Sequence, residues 1–348
     1  MRIVIAGAGA MGCRFGAALF AAGHEVLLLD GWAEHVAAIN AAGLRVTDQT
    51  GTRVHSVPAA LFPAVDPADL VIVFAKATAT AAVADASAGA IGPATLVLTL
   101  QNGLGNIEAL LAHVPASRLL AGTTTLGTEL LGPGRIRALG SGETVLGPLP
   151  GEPSSGGALP KGASPGGASP GEPSPGEPSP GGPAAEGAGR VRAALCDAGM
   201  SVRVSPNALE VIWAKVAFNC VMNSLCSIAS IPVSALARYA GFDALASSIL
   251  DEIAAVALAE GVTVDTSAAL RLMKAQFDPS ASGDHLASML QDLMNGRPTE
   301  IAHLNGAIAD RAARHGLDAP VNRLITQLVS LLESTWPGRV NALHTGPH

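Results

Sequence analysis

The chain has no basic cluster, no dense cysteine framework and no long apolar leader. Lys and Arg total 21 against 28 Asp and Glu, a net charge of −7. That balance, with the basic residues scattered, argues against a nucleic-acid surface. The four cysteines, Cys13, Cys196, Cys220 and Cys226, show no CxxC spacing. They read as reduced thiols of a cytosolic protein, and no metal is expected. After Met1-Arg2 the first apolar segment is about five residues, too short for a signal peptide or a membrane span. A cytoplasmic protein with no membrane partner is therefore expected. What is present in quantity is apolar: 49% of 348 residues are hydrophobic, enough for about two domains with real cores.

The first of these opens on a strand, RIVIA at residues 2–6, followed at once by Gly7-Ala8-Gly9-Ala10-Met11-Gly12. A helical pattern then runs to Gly23, and a second strand, EVLLL at 25–29, closes on Asp30. This is the strand–helix–strand dinucleotide fingerprint. Gly7 permits the tight turn, Gly9 lets the backbone approach a pyrophosphate, and Gly12 allows close helix packing. The helix N-terminus, at Ala10 and Met11, faces the phosphates. Asp30 stands where a carboxylate accepts hydrogen bonds from the adenosine ribose and repels a 2′-phosphate. No Arg follows it, since the next residues are Gly31, Trp32 and Ala33. Alone, that favours NADH over NADPH; the alternative reading of Asp30 is a plain cap of the next helix.

Further strands are expected at 69–75, ending at Lys76, and at 95–100, ending at Gln101-Asn102-Gly103. In an open parallel sheet ligands lie beyond the carboxyl ends of strands. Lys76 and Asn102 are thus placed for cofactor or substrate, or are plain loop residues. Residues 123–147 alternate with Gly breaks and read as antiparallel strands extending the sheet. Residues 148–186 hold eleven of the 24 prolines in a five-residue theme and little to bury. They read as a disordered insertion without a role. The fold resumes near Gly189, so the nucleotide domain is set at 1–205 and a helical domain at 206–348.

That second domain opens with a long helical stretch, 207–231. Between Trp213 and Ile231 its only charged residue is Lys215, and a helix apolar nearly all round is usually buried. Lys215, Asn219 and Asn223 fall at i, i+4 and i+8, one polar stripe. A solvated face would carry several charges; a single ammonium and two carboxamides point to a cleft, because a buried lysine is costly unless paired or shifted in pKa. Helical patterns follow at 247–260, 266–276, 285–294, from Thr299 onward, and at 321–332.

Four spaced segments carry a resemblance: GAGAMG at 7–12, QNGLG at 101–105, KVAFNCVMNSL at 215–225, and SMLQDLMNGRPTEIAHLNG at 288–306. Together they resemble the ketopantoate reductase (2-dehydropantoate 2-reductase) family over all but the Pro-rich stretch. The resemblance implies an α/β fold, a Rossmann domain followed by an all-helical domain of the 6-phosphogluconate dehydrogenase C-terminal type. It also implies reduction of ketopantoate to pantoate by NADPH, on the route to pantothenate and coenzyme A. By the same resemblance Lys215 and Glu300 are the catalytic residues, Asn219, Asn223, Ser288 and Asn102 hold substrate, and Lys76 and Asn102 lie on the cofactor side. On their own, Ser288 and Glu300 read as ordinary helix residues.

Two rival readings stay open. One is an NAD-dependent reductase of another small 2-keto acid on the same scaffold. The other is a nucleotide-binding sensor without catalysis, against which a buried acid speaks. A monomer and a homodimer are equally compatible with the sequence.

Overall fold

The computed structural model describes residues 1–63, 66–150, 183–278 and 286–336. Strands β1 (Arg2–Ala6) and β2 (Glu25–Asp30) flank helix α1 (Ala10–Ala21). After helix α2 (Ala33–Ala42) come β3 (Leu44–Asp48), β4 (Gly51–His55), β5 (Ala59–Leu61), β6 (Leu70–Val73) and β7 (Leu96–Thr99). Every residue of β6 and β7 is buried, the signature of strands covered on both faces. Helix α3 (Thr80–Ala86) lies between β6 and β7, and α4 (Asn106–Leu111) leads to β8 (Leu119–Thr124), β9 (Gly127–Gly132), β10 (Arg135–Leu139) and β11 (Glu143–Pro148). Helix α5 (Pro183–Asp197) and β12 (Ser201–Val204) complete this half.

The main sheet runs β12-β11-β8-β7-β6-β1-β2-β5. The run β5-β2-β1-β6-β7-β8 is parallel throughout and turns back between β1 and β6. That reversal is the switch point where a doubly wound sheet opens a crevice. The expectation for residues 123–147 is half corrected. Strand β11 does extend the sheet, antiparallel to β8, but β9 and β10 leave it. They join β3 and β4 in a separate four-stranded sheet, β4-β3-β10-β9, against α1. Alternation identifies a strand but not its partner, and β4 is mostly exposed, so within the β3–β4 hairpin only Leu44 and Val46 of β3 are buried apolar positions.

Helix α5 starts at Pro183, six residues before the Gly189 expected from the pattern, so 183–186 belong to the fold. Proline is favoured in a first helical turn because its missing N–H has no partner there anyway. At the other end Pro148 closes β11, paired with Leu120 of β8, so it too belongs to the fold, and the expected disorder at 151–182 lies outside the described residues.

The second half is helical: α6 (Ala208–Ala229), α7 (Phe242–Ala259), α8 (Thr266–Ala275), α9 (Ser288–Met294), α10 (Asn305–Arg314) and α11 (Pro320–Thr335). Asn207 caps α6, its side chain accepting from Leu209 N at 3.0 Å, and Ser230 ends it in the left-handed region. Helix α6 is the one described helix long and apolar enough to cross a membrane, and most of its apolar span is buried inside the protein. It forms the spine of a core shared with α7 to α11 and with Leu104 and Ala121 of the sheet domain. Behind it lies a buried polar chain: Asn305 donates to the Cys220 carbonyl and to Asn322, which donates to Glu252. Two helical expectations shift. The helix expected from Thr299 begins only at Asn305, after a short 3-10 turn at Ile301–His303, and residue 285 lies outside the described residues.

The halves are also joined by ion pairs. Arg311 on α10, 7% exposed, pairs with Glu260 at 2.6 Å and with Glu108 of α4. Removing one partner of a buried pair strands the charges left behind. Arg311→Ala is therefore expected to cost about 2–3 kcal/mol, somewhat below the usual range because Glu108 is half exposed. Urea unfolding reads this directly, and an unchanged midpoint would show the bridge to be irrelevant to stability.

Candidate functional site

Beyond the end of β1 the chain turns through Gly7 with φ +99°, where a Cβ would lie 2.7 Å from the Phe74 carbonyl oxygen at the end of β6. A Cβ on Gly12 would lie 2.0 Å from the Gly7 carbonyl oxygen and 3.0 Å from the Ile5 side chain. These two glycines are demanded by the protein itself. Gly9 is not: a Cβ there meets nothing within 4 Å, so its space faces outward. Gly9 caps α1 without a side-chain cap bond, and the first turn holds no acid. The first intrahelical bond is Cys13 N to Gly9 O at 2.9 Å, which leaves the Ala10 and Met11 N–H groups free at the positive end of the helix. Such a cradle suits a pyrophosphate.

Asp30 ends β2 and accepts a hydrogen bond from Trp32 N at 2.9 Å through one carboxylate oxygen. The local capping role is therefore real, and the second oxygen has no hydrogen-bond partner among the described residues.

The polar stripe of α6 is present. Asn219 and Asn223 are buried, and Asn223 Nδ2 donates to Ser288 Oγ at 3.4 Å, tying α6 to the first residue of α9. Lys215 is half-buried. Its ammonium sits 6.0 Å from the Phe218 ring centroid and forms no ion pair or hydrogen bond among the described residues. Desolvation lowers its pKa below the ordinary lysine range.

One helical turn along α9 from Ser288 stands Asp292, a residue that sequence reasoning missed. It pairs with Lys76 at 2.6 Å and with Arg297 at 3.1 Å. Lys76 and Asp292 lie 216 residues apart in the chain, and no local pattern announces such a pair. Lys76 thus faces the helical domain. Next to it, Asn102 Nδ2 donates to Glu300 Oε2 at 3.5 Å. Burial raises the Glu300 pKa, opposed by the nearby Lys76 charge and by hydrogen bonds from Ala77 N–H and Asn102.

The Asn102–Glu300 meeting follows from a tight backbone contact. Leu104 N donates to His303 O at 2.8 Å, and a Cβ on Gly103 would lie 2.7 Å from that same oxygen. The structure therefore gathers Asn102, Glu300, Lys76 and Asp292 on one side and Asn223 with Ser288 on the other, linked by α9. Glu300 and Lys215 are not in contact among the described residues.

Comparisons with known proteins give the family of the chain. The model of the family described as ketopantoate reductase PanE/ApbA matches residues 3–151, and that of its C-terminal domain matches 207–333. The 2-dehydropantoate 2-reductase of Lactococcus lactis is 32% identical over 94% of this chain and 97% of its own. That of Halobacterium salinarum is 33% identical over 96% and 99%. Among solved structures, a D-mandelate dehydrogenase in complex with NADH and anilino(oxo)acetate superposes with a TM-score of 0.83 at 32% identity, covering 97% of this chain and 100% of that one. A PanE/ApbA family ketopantoate reductase from Ralstonia eutropha gives 0.76 at 33% identity, covering 97% and 100%. The chain belongs to the ketopantoate reductase family, with a Rossmann domain and a helical C-terminal domain. Its cofactor is a nicotinamide dinucleotide.

The glycine geometry separates packing from binding. Gly9→Ala is expected to keep the parent's melting temperature while weakening dinucleotide binding about tenfold or more, a loss of about 1.4 kcal/mol. Gly12→Ala should lower both, because it displaces the Gly7 carbonyl. Calorimetric titration with thermal melts checks the pair; a Gly9→Ala protein that binds like the parent would show that nothing approaches this face.

Proposed function

We propose that this member of the ketopantoate reductase family reduces ketopantoate to pantoate, with residues 1–205 holding the dinucleotide and 206–348 the substrate. The observation that carries the reading is Lys215, a desolvated ammonium without a counter-charge among the described residues, on the same stripe as two buried asparagines. When bound at the Gly7–Gly12 loop, the reduced dinucleotide supplies a hydride. This chain's own residues do the rest. As negative charge grows on the ketone oxygen, Lys215 meets it and delivers a proton, a role that a lowered pKa favours. Asn219 and Asn223 hold the substrate through their carboxamides, and Ser288 contacts its carboxylate. Glu300 stands with Asn102 and not with Lys215, which fits binding of the substrate hydroxyl. Asn102 and the Lys76–Asp292 pair line the cofactor side of the cleft.

For the cofactor we favour NADH. Asp30 keeps one carboxylate oxygen for the ribose, and a 2′-phosphate there would meet a carboxylate with no arginine beside it. The second reading, reduction of a different 2-keto acid, draws on the likeness to a D-mandelate dehydrogenase complexed with NADH.

Steady-state assays with ketopantoate, NADH and NADPH test this. The expected result is turnover with ketopantoate, with NADH giving the higher kcat/KM. Turnover only with an aromatic 2-keto acid would move the assignment to the second reading. Lys215→Ala should lower kcat by about 10²–10⁴-fold with the fold intact; near-normal turnover would remove it as the acid. The pH profile has a definite sign. The protonated amine is the active form, so reduction should fall as pH rises through a value below the ordinary lysine range.

A further inference from the structure

The adenosine end of the crevice contains a feature the hydride chemistry does not use. Trp32, two residues after Asp30, is 39% exposed although it is one of the largest apolar side chains in the domain. Its ring is not loose. One face lies on the His35 ring, with centroids 5.2 Å apart and planes at 11°. His35 is itself 1% exposed and is held from both sides. Gly134 N donates to its Nδ1 at 3.1 Å, which leaves the proton of the neutral ring on Nε2. That nitrogen lies 3.4 Å from Cys13 Sγ, whose thiol donates to the Ala8 carbonyl of the glycine loop at 3.0 Å. The Trp32 backbone is fixed too, by its bond to Asp30. An aromatic ring stacked on His35, in a residue that keeps 39% of its surface exposed, thus belongs to the turn that follows the carboxylate assigned to the ribose.

We propose that Trp32 is the stacking platform for the adenine ring of the dinucleotide, with His35 as the positioning residue that ties this platform to the phosphate loop. Base–aromatic stacking is tolerant of ring identity and needs only an accessible π-face at a fixed place. The proposal rests on the dinucleotide reading of the glycine loop and not on the identity of the keto acid.

The test uses ADP-ribose, which carries adenine, ribose and pyrophosphate but no nicotinamide. Its dissociation constant is measured by calorimetry with the full chain, Trp32→Ala and Trp32→Phe, alongside their melting temperatures. Trp32→Ala is expected to bind about five- to a hundredfold more weakly, at an unchanged melting temperature, and Trp32→Phe to recover most of the loss. Alanine binding within twofold of the parent would overturn the proposal. So would a phenylalanine variant as weak as alanine, since a purely structural defect is not rescued by another flat ring. Absence of ADP-ribose binding by the parent would also end it. Failure of ketopantoate turnover would leave these results untouched, so the two readings fail separately.

Discussion

The arrangement depends on keeping one ammonium poorly hydrated inside an otherwise apolar helix. Lys215 has no anionic partner among the described residues, and desolvation alone lowers its pKa. Burying a charge without a partner costs stability. The surrounding structure supports that cost through the dense core around α6 and the Asn305–Asn322–Glu252 chain, which fixes the helix by its Cys220 carbonyl. A helix free to rotate by one residue would turn the whole stripe about 100° away from the cleft.

The second constraint is the seam between the halves. Gly103 and His303 approach so closely that only glycine fits, and this sets Asn102 beside Glu300. Lys76 and Asp292 span the same seam. The glycine loop and the polar stripe lie on different halves of the chain, and the site proposed between them requires the backbone and side-chain contacts that lock the halves in one register.

Much of this was legible in the sequence, for identifiable reasons. The glycine loop and its helix obey local rules of turn and close approach, so their spacing is visible in twelve residues. The α6 stripe was legible because a single lysine among apolar neighbours violates the ordinary pattern. What stayed hidden was non-local. Strand β4 is mostly exposed, and β9 and β10 signal strands without naming a partner. Asp292 looks like any helix acid until Lys76 meets it across the seam. Glu300 was expected inside a helix, whereas it precedes a single 3-10 turn, because its neighbour Pro298 and the Leu104–His303 contact shape that loop. Trp32 followed Asp30 in plain sight, but its stacking on His35 is a tertiary fact.

The most direct test of the central claim is the titration of Lys215 itself. The chain has only four lysines, Lys76, Lys161, Lys215 and Lys274, so side-chain NMR of isotope-labelled lysine in the full protein resolves them, with Lys215→Arg giving the assignment. The account requires one lysine to titrate well below the others and that resonance to vanish in Lys215→Arg. A Lys215 that titrates together with the exposed Lys274 would contradict it, because the amine would then be hydrated and no better an acid than any surface lysine.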